Sequence, residues 1–271
     1  MRFCPAMLKT FSEAGLRGPG PAGFSHFGQD HLLWLAGLGA ASFLLFFLQG
    51  KASPGRRQRI RKGLGLFCIL LHLLTQGTLL LRGVYGLYDL PFHLCALTVY
   101  LIWLHTFLEE RRELYAAMGE ILFFPCLPGL VSALIFPGWN EFPAFSFYSC
   151  SSFLSHGAMA LYILLCLMDG SIRPSARRSW IPVLFLGAYT GLVLPFDLAF
   201  GPNFGFLKEP VPGTPLQLIA DYLGRGEGYR AGFALLVLVL EVLSYSFLRV
   251  FKRQKKAIHE AESKTETRGR R

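Results

Sequence analysis

An all-α fold, a polytopic membrane bundle of seven helices, is what this sequence predicts, and three observations predict it. The chain has 271 residues, of which 52% are hydrophobic and only 16% charged, against about 25% charged in soluble domains. The apolar residues are gathered into runs of roughly twenty, the length a helix needs to cross a ~30 Å hydrocarbon core. The runs are continuous rather than alternating, which excludes a membrane β-barrel. Lys and Arg flank the runs, so the net charge of +10 reads as a topology signal and not as a nucleic-acid footprint.

Residues 1–30 are Gly- and Pro-rich and polar, an extramembrane arm without the apolar core or cleavage site of a signal peptide. Any helix in Met1–Leu16 is ended by Gly15 and by Gly-Pro-Gly at 18–20. The seven-helix domain is expected over 31–251, followed by a basic cytoplasmic tail over 252–271 that is too polar to pack and is expected to be disordered. The first span is expected from His31 to Gln49, then a basic loop from Lys51 to Lys62, then a second span from Gly63 to Leu81. The third opens at Pro91, since proline is tolerated in a first helical turn, and runs to Leu108. A tight charged turn from Glu109 to Leu114 leads to the fourth span, Tyr115 to Phe136, kinked at Pro125 and at Pro128-Gly129. Spans five, six and seven are expected at Tyr148–Met168, Trp180–Phe200 and Tyr229–Phe251. Trp103, Trp139 and Trp180 fall where interface anchors belong.

Seven crossings put nineteen Lys/Arg in one set of extramembrane segments and seven in the other. The amino terminus is therefore expected outside and the carboxyl terminus inside. Membrane lipids are the expected partners, anionic lipids contacting the basic loops and tail, in a multi-pass protein of the cell membrane. No nucleic-acid partner is expected. The six cysteines show neither CxxC nor metal-ligand spacing, so no disulfide framework, metal or cofactor is called for.

Polar groups inside apolar runs are costly and face protein or water. Here they are His72 and Gln76, His93 and His105, Glu120, Ser155 and His156, Asp197, and Glu241. The expected topology collects His93, Cys95, His156, Gln76 and Asp197 near the outer side, with Asn203 and Asp221 in the adjoining loop. Glu120 falls toward the other side, and His105 reads as structural, reaching toward water. A thiol within reach of an imidazole is the minimum for nucleophilic acyl transfer, with donors for the developing oxyanion. Residues two apart on a helix diverge, so Cys95 is expected to find its base in His156, or in His93 if the first turn unwinds. Asp197 or Asp221 could orient the imidazole, Asn203 could donate, and Ser155, Gln76 and Glu120 complete the supporting set. The same groups would equally line a transporter or receptor pocket, with His93, His156, Glu120 and Glu241 carrying protons or a ligand.

Five motifs in order carry a resemblance: Pro91-Phe92-His93-Leu94-Cys95; Glu120 to Phe124 with Leu127-Pro128-Gly129-Leu130; Phe153-Leu154-Ser155-His156-Gly157; Asn203 to Leu207; and Asp221-Tyr222-Leu223-Gly224. Over roughly 25–250 the chain resembles the YwaF-like family of integral membrane proteins. That family includes a vertebrate phospholipid acyltransferase described as depending on a cysteine. The resemblance implies Cys95 as that cysteine and His156 as its partner. The chain departs from the family pattern at Pro125-Cys126, at Asp197 and at Arg225-Gly226-Glu227-Gly228.

Overall fold

The computed structural model describes residues 23–108 and 111–269. Most of the amino-terminal arm and part of the turn after Leu108 lie outside the described residues. Nine α-helices are described: α1 Gln29–Gly50, α2 Pro54–Leu81, α3 Leu94–Phe107, α4 Arg112–Ile121, α5 Leu127–Ile135, α6 Phe147–Asp169, α7 Trp180–Phe200, α8 Pro215–Leu223 and α9 Glu227–Gly269. A π-turn over Leu122–Cys126 joins α4 to α5, and short 3₁₀ turns precede α3, α7 and α8. No strand occurs among the described residues.

Six helical segments are long and apolar enough to cross a membrane: α1, α2, α4 with α5, α6, α7 with its preceding turn, and the first part of α9. The expected third span is shorter. Its helix has 14 residues, about 21 Å at 1.5 Å per residue. It starts at Leu94 and not at Pro91: the His93 backbone is extended (ψ 140°), and the Phe92 carbonyl accepts from the Tyr189 hydroxyl at 2.8 Å in place of a helical amide. The break expected in the fourth span is found at Phe124, whose extended backbone (φ −146°, ψ 126°) precedes a cis bond to Pro125.

Two expected non-helical stretches are helical. Most of the basic loop belongs to α2, which begins with Pro54 in its first turn, where its missing N–H costs nothing. The tail continues α9 to Gly269. Its Lys, Glu, Gln, Arg and Ala are strong helix formers, and no Gly or Pro interrupts Arg249 to Arg268.

The core is built on α6, in which every residue from 156 to 163 is buried. The other long helices turn large apolar side chains outward, such as Phe43 on α1, Leu81 on α2, Leu184 on α7 and Phe247 on α9, as lipid contact requires. Close approach at α6 needs small residues. A Cβ at Gly157 would stand 2.7 Å from Leu38 of α1, and one at Gly65 of α2 would stand 2.6 Å from the Thr106 hydroxyl of α3.

Ion pairs hold one end, the one carrying the basic segments. Arg61 of α2 pairs with Asp169 at the end of α6. Glu120 of α4 accepts from Arg178 Nε at 2.8 Å, the Ser175 amide at 2.9 Å and the Tyr245 hydroxyl of α9 at 2.7 Å. His105 does not reach water. It is fully buried, bonded through Nδ1 to the Tyr162 hydroxyl at 2.9 Å and stacked on Tyr115.

At the opposite end, α1 is clamped to the last turn of α5 and to the connection between α5 and α6. His31 Nε2 donates to the Leu134 carbonyl, its Nδ1 accepting the Phe27 amide. Trp34 Nε1 donates to the Ala144 carbonyl, and its ring stacks on Phe153 at 4.9 Å. That clamp fixes the segment carrying Trp139, which is buried rather than placed at the surface as an interface anchor. Trp103 and Trp180 are exposed.

Candidate active site

The start of α3 brings the site together. With Phe92 excluded from the helix, Leu94, Cys95 and Ala96 are its first three residues, and their amides have no intrahelical acceptor; the first such bond is Leu97 N–H to the His93 carbonyl at 3.0 Å. Cys95 is half-buried, and the Ala96 amide lies against its sulfur. A helix N-terminus favours negative charge, so the local backbone suits both a thiolate and an oxyanion.

His93 is the residue before the helix, with extended backbone at φ −63°, ψ 140°. Its ring lies between Phe204 and Phe206, at centroid distances of 4.9 and 5.8 Å. Its Nδ1 accepts a long bond from the Gly205 amide, 3.4 Å. An amide only donates, so in the neutral ring Nε2 carries the proton.

His156 shows the opposite tautomer. Its Nδ1 donates to the Ser152 carbonyl at 2.8 Å, which leaves the lone pair on Nε2. Trp139 covers the ring at 4.8 Å. The two rings thus differ in which nitrogen carries the proton. One therefore offers a proton donor and the other a basic nitrogen. No hydrogen bond joins Cys95 to either histidine among the described residues.

Tyr189 of α7 is the part that sequence reading missed. Its hydroxyl donates to the Phe92 carbonyl at 2.8 Å, and the Leu94 amide lies against the same oxygen. A phenol inside the apolar run of α7 was the available signal. Asp197, two turns further along the same helix, is fully buried, and neither carboxyl oxygen has a hydrogen-bond partner. The Phe204 amide and the Lys208 ammonium lie toward it. It does not bond either imidazole.

The remaining predicted residues stand apart from this group. The Asn203 side chain folds its own loop, accepting the Lys208 and Glu209 amides and donating to the Glu209 carbonyl. Asp221 is exposed on α8 and accepts from Gln217 at 2.7 Å. Ser155 is half-buried beside His156. Gln76 lies on α2 with a buried, unpartnered Oε1, one turn beyond His72, whose Nε2 meets the Tyr100 hydroxyl of α3 at 3.1 Å. Glu120 belongs to the ion-paired end. Contacts thus tie His93 to the Phe204–Phe206 turn, Tyr189 to the chain just before Cys95, and His156 to Ser152 and Trp139, while Asn203, Asp221 and Glu120 are bonded elsewhere and Gln76 stands on α2.

Apolar helices of membrane-crossing length around a buried polar group define a multi-pass membrane protein. The particular family is shown by a family model that matches residues 26–245: the chain belongs to the TMEM164 family. No curated protein and no solved structure matches it.

Proposed function

We propose that this protein is an integral membrane acyltransferase that moves a fatty acyl group between lipids through a thioester on Cys95. The observation that carries this reading is the start of α3, where the Cys95 thiol lies against helix-start amides two residues after His93, with His93 and His156 in opposite tautomers. The YwaF-like resemblance supports it independently. His156 Nε2 takes the Cys95 proton, and the sulfur attacks the ester carbonyl of a donor lipid. The new C–S bond forms, the ester C–O bond breaks, and the departing lysolipid oxygen receives the proton from His156. An acceptor lipid hydroxyl then gives its proton to His156 and attacks the thioester carbonyl; the C–S bond breaks, and the released Cys95 sulfur takes that proton back from His156. The α3 amides and His93 Nε2–H are the donors for the oxyanion in both halves. Tyr189 is a positioning residue, holding Phe92 out of the helix so that the Ala96 amide stays free. Asp197 lends polarity beside Tyr189.

In this reading α3 is the short third of seven crossings, the amino terminus lies outside and the basic tail inside. The protein sits in the cell membrane, where the basic segments contact anionic lipid. Cys95→Ala is expected to abolish acyl transfer by the purified protein, together with the acyl adduct in intact-protein mass spectra. Retained transfer by the variant would overturn the nucleophile.

One observation favours a second reading. Asp197 and Glu241 are both buried carboxyls with unpartnered oxygens, as a non-enzymatic transporter or small-molecule receptor would need in its pocket. Uptake into vesicles that is insensitive to Cys95→Ala would select that reading.

A further inference from the structure

A second polar site lies at the ion-paired end, away from Cys95. A cleft of about 530 Å³ opens there between α2, α4, the end of α6 and the loop that follows, within the ~300–1,000 Å³ typical of small-molecule sites. Arg61, Arg173, Arg178, Asp169 and Ser171 line it, over an apolar floor that includes Ile172.

The charges in the cleft are unequal. Arg61 is matched by Asp169 and Arg178 by Glu120. Arg173 pairs with no carboxylate among the described residues, although it is fixed in place. Its Nε donates to the Gly170 carbonyl at 2.6 Å. Its guanidinium lies against Gly170, where a Cβ would meet Nε at 3.3 Å and Nη2 at 3.5 Å. Gly170 also adopts φ +77°, which glycine takes at least cost. The Arg173 carbonyl is in turn held by Arg178 Nη2 at 2.9 Å. The terminal nitrogens of Arg173 thus remain for a ligand on a guanidinium whose position is set, beside the Ser171 hydroxyl. Exposed Leu114, Met168 and Trp180 lie close by in sequence to the residues of the cleft, which suits a membrane surface.

We propose that this cleft binds a phosphate group, with Arg173 as its bidentate partner and Ser171 as a further donor. A phospholipid headgroup and free inorganic phosphate share that chemistry. The site sharpens the anionic-lipid contact proposed above and does not depend on acyl transfer at Cys95.

The test uses the full-length protein in detergent, titrated separately with phosphatidic acid, phosphatidylcholine and inorganic phosphate, with bound species counted by native mass spectrometry. Wild type is expected to retain phosphatidic acid. Arg173→Gln is expected to weaken it about tenfold or more, in line with loss of a bidentate charged pair, and Ser171→Ala by less. Arg225→Gln, on the loop before α9, is the control and is expected to leave retention unchanged. Each variant's thermal melt is compared with wild type, and Arg173→Lys, which keeps the charge but not the fork, is expected to fall between the two. Retention of inorganic phosphate that is lost in Arg173→Gln would identify a soluble source; retention of lipid alone would identify the headgroup. Phosphatidic acid binding equal in wild type and a folded Arg173→Gln, or no retention of either phosphate species, would overturn the site.

Discussion

Gly205 turns the chain at φ +60° between Phe204 and Phe206, the two rings that bracket His93. A Cβ there would stand 2.5 Å from the Tyr189 hydroxyl. Gly205→Ala is therefore expected to cost about 1–3 kcal/mol for the left-handed backbone and the clash, and to push Tyr189 off the Phe92 carbonyl. Adding Tyr189→Phe should recover part of the lost melting temperature, since the hydroxyl is the nearest colliding atom. No recovery in the double variant would show that the backbone alone carries the cost. At this scale the sequence shows which atoms have useful chemistry. Cys95, His93 and His156 stand out because a thiol or imidazole in an apolar run needs a reason. Their protonation pattern was not legible, because it depends on Ser152 and Gly205, and the Gly205 amide arrives from a loop 112 residues away.

Elements were read well where composition changes abruptly and poorly where it does not. Helix α7 runs from Trp180 to Phe200 as expected, bounded by Ser179 and by Gly201 at φ +95°. The helix α3 starts three residues after Pro91, where His93 is extended and Phe92 is bonded to a hydroxyl from α7, and no local propensity records that distant partner. The basic stretch of α2 is helical because Arg and Lys are good helix formers, so its charge marks the membrane boundary without breaking the helix. The fourth span illustrates how a broken element is held. Glu120, just before the break at Phe124, is 1% exposed and accepts from three groups on two other segments. Glu120→Ala would leave Arg178 and Tyr245 without their acceptor and is expected to destabilise the protein by about 3 kcal/mol. Unfolding in detergent would measure this, and a loss below a few tenths of a kcal/mol would show that the pair contributes little.

For the molecule as a whole, the all-helical membrane class was legible from composition and run length alone. The number of crossings was not, because a 14-residue apolar helix is decided by how the protein and the bilayer meet rather than by its own hydropathy. Seven crossings predict the carboxyl terminus on the inner side, so a reporter active only outside, fused after Arg271, should stay silent; a clear signal would reverse the proposed orientation. The candidate site could be placed at one end because the order of spans sets depth, whereas Tyr189 and Trp139 joined it only through packing.

The last helix extends for 43 residues, about 65 Å at 1.5 Å per residue, roughly twice the thickness of the oily layer. Such a rod cannot be submerged along its length while it runs across the bilayer. If it stays upright, its basic two-fifths stands clear of the lipid like a mast, with the tip some tens of ångströms from the surface. A fluorophore attached near Gly269 would then transfer less energy to dyes in the nearest leaflet than one attached near Arg249.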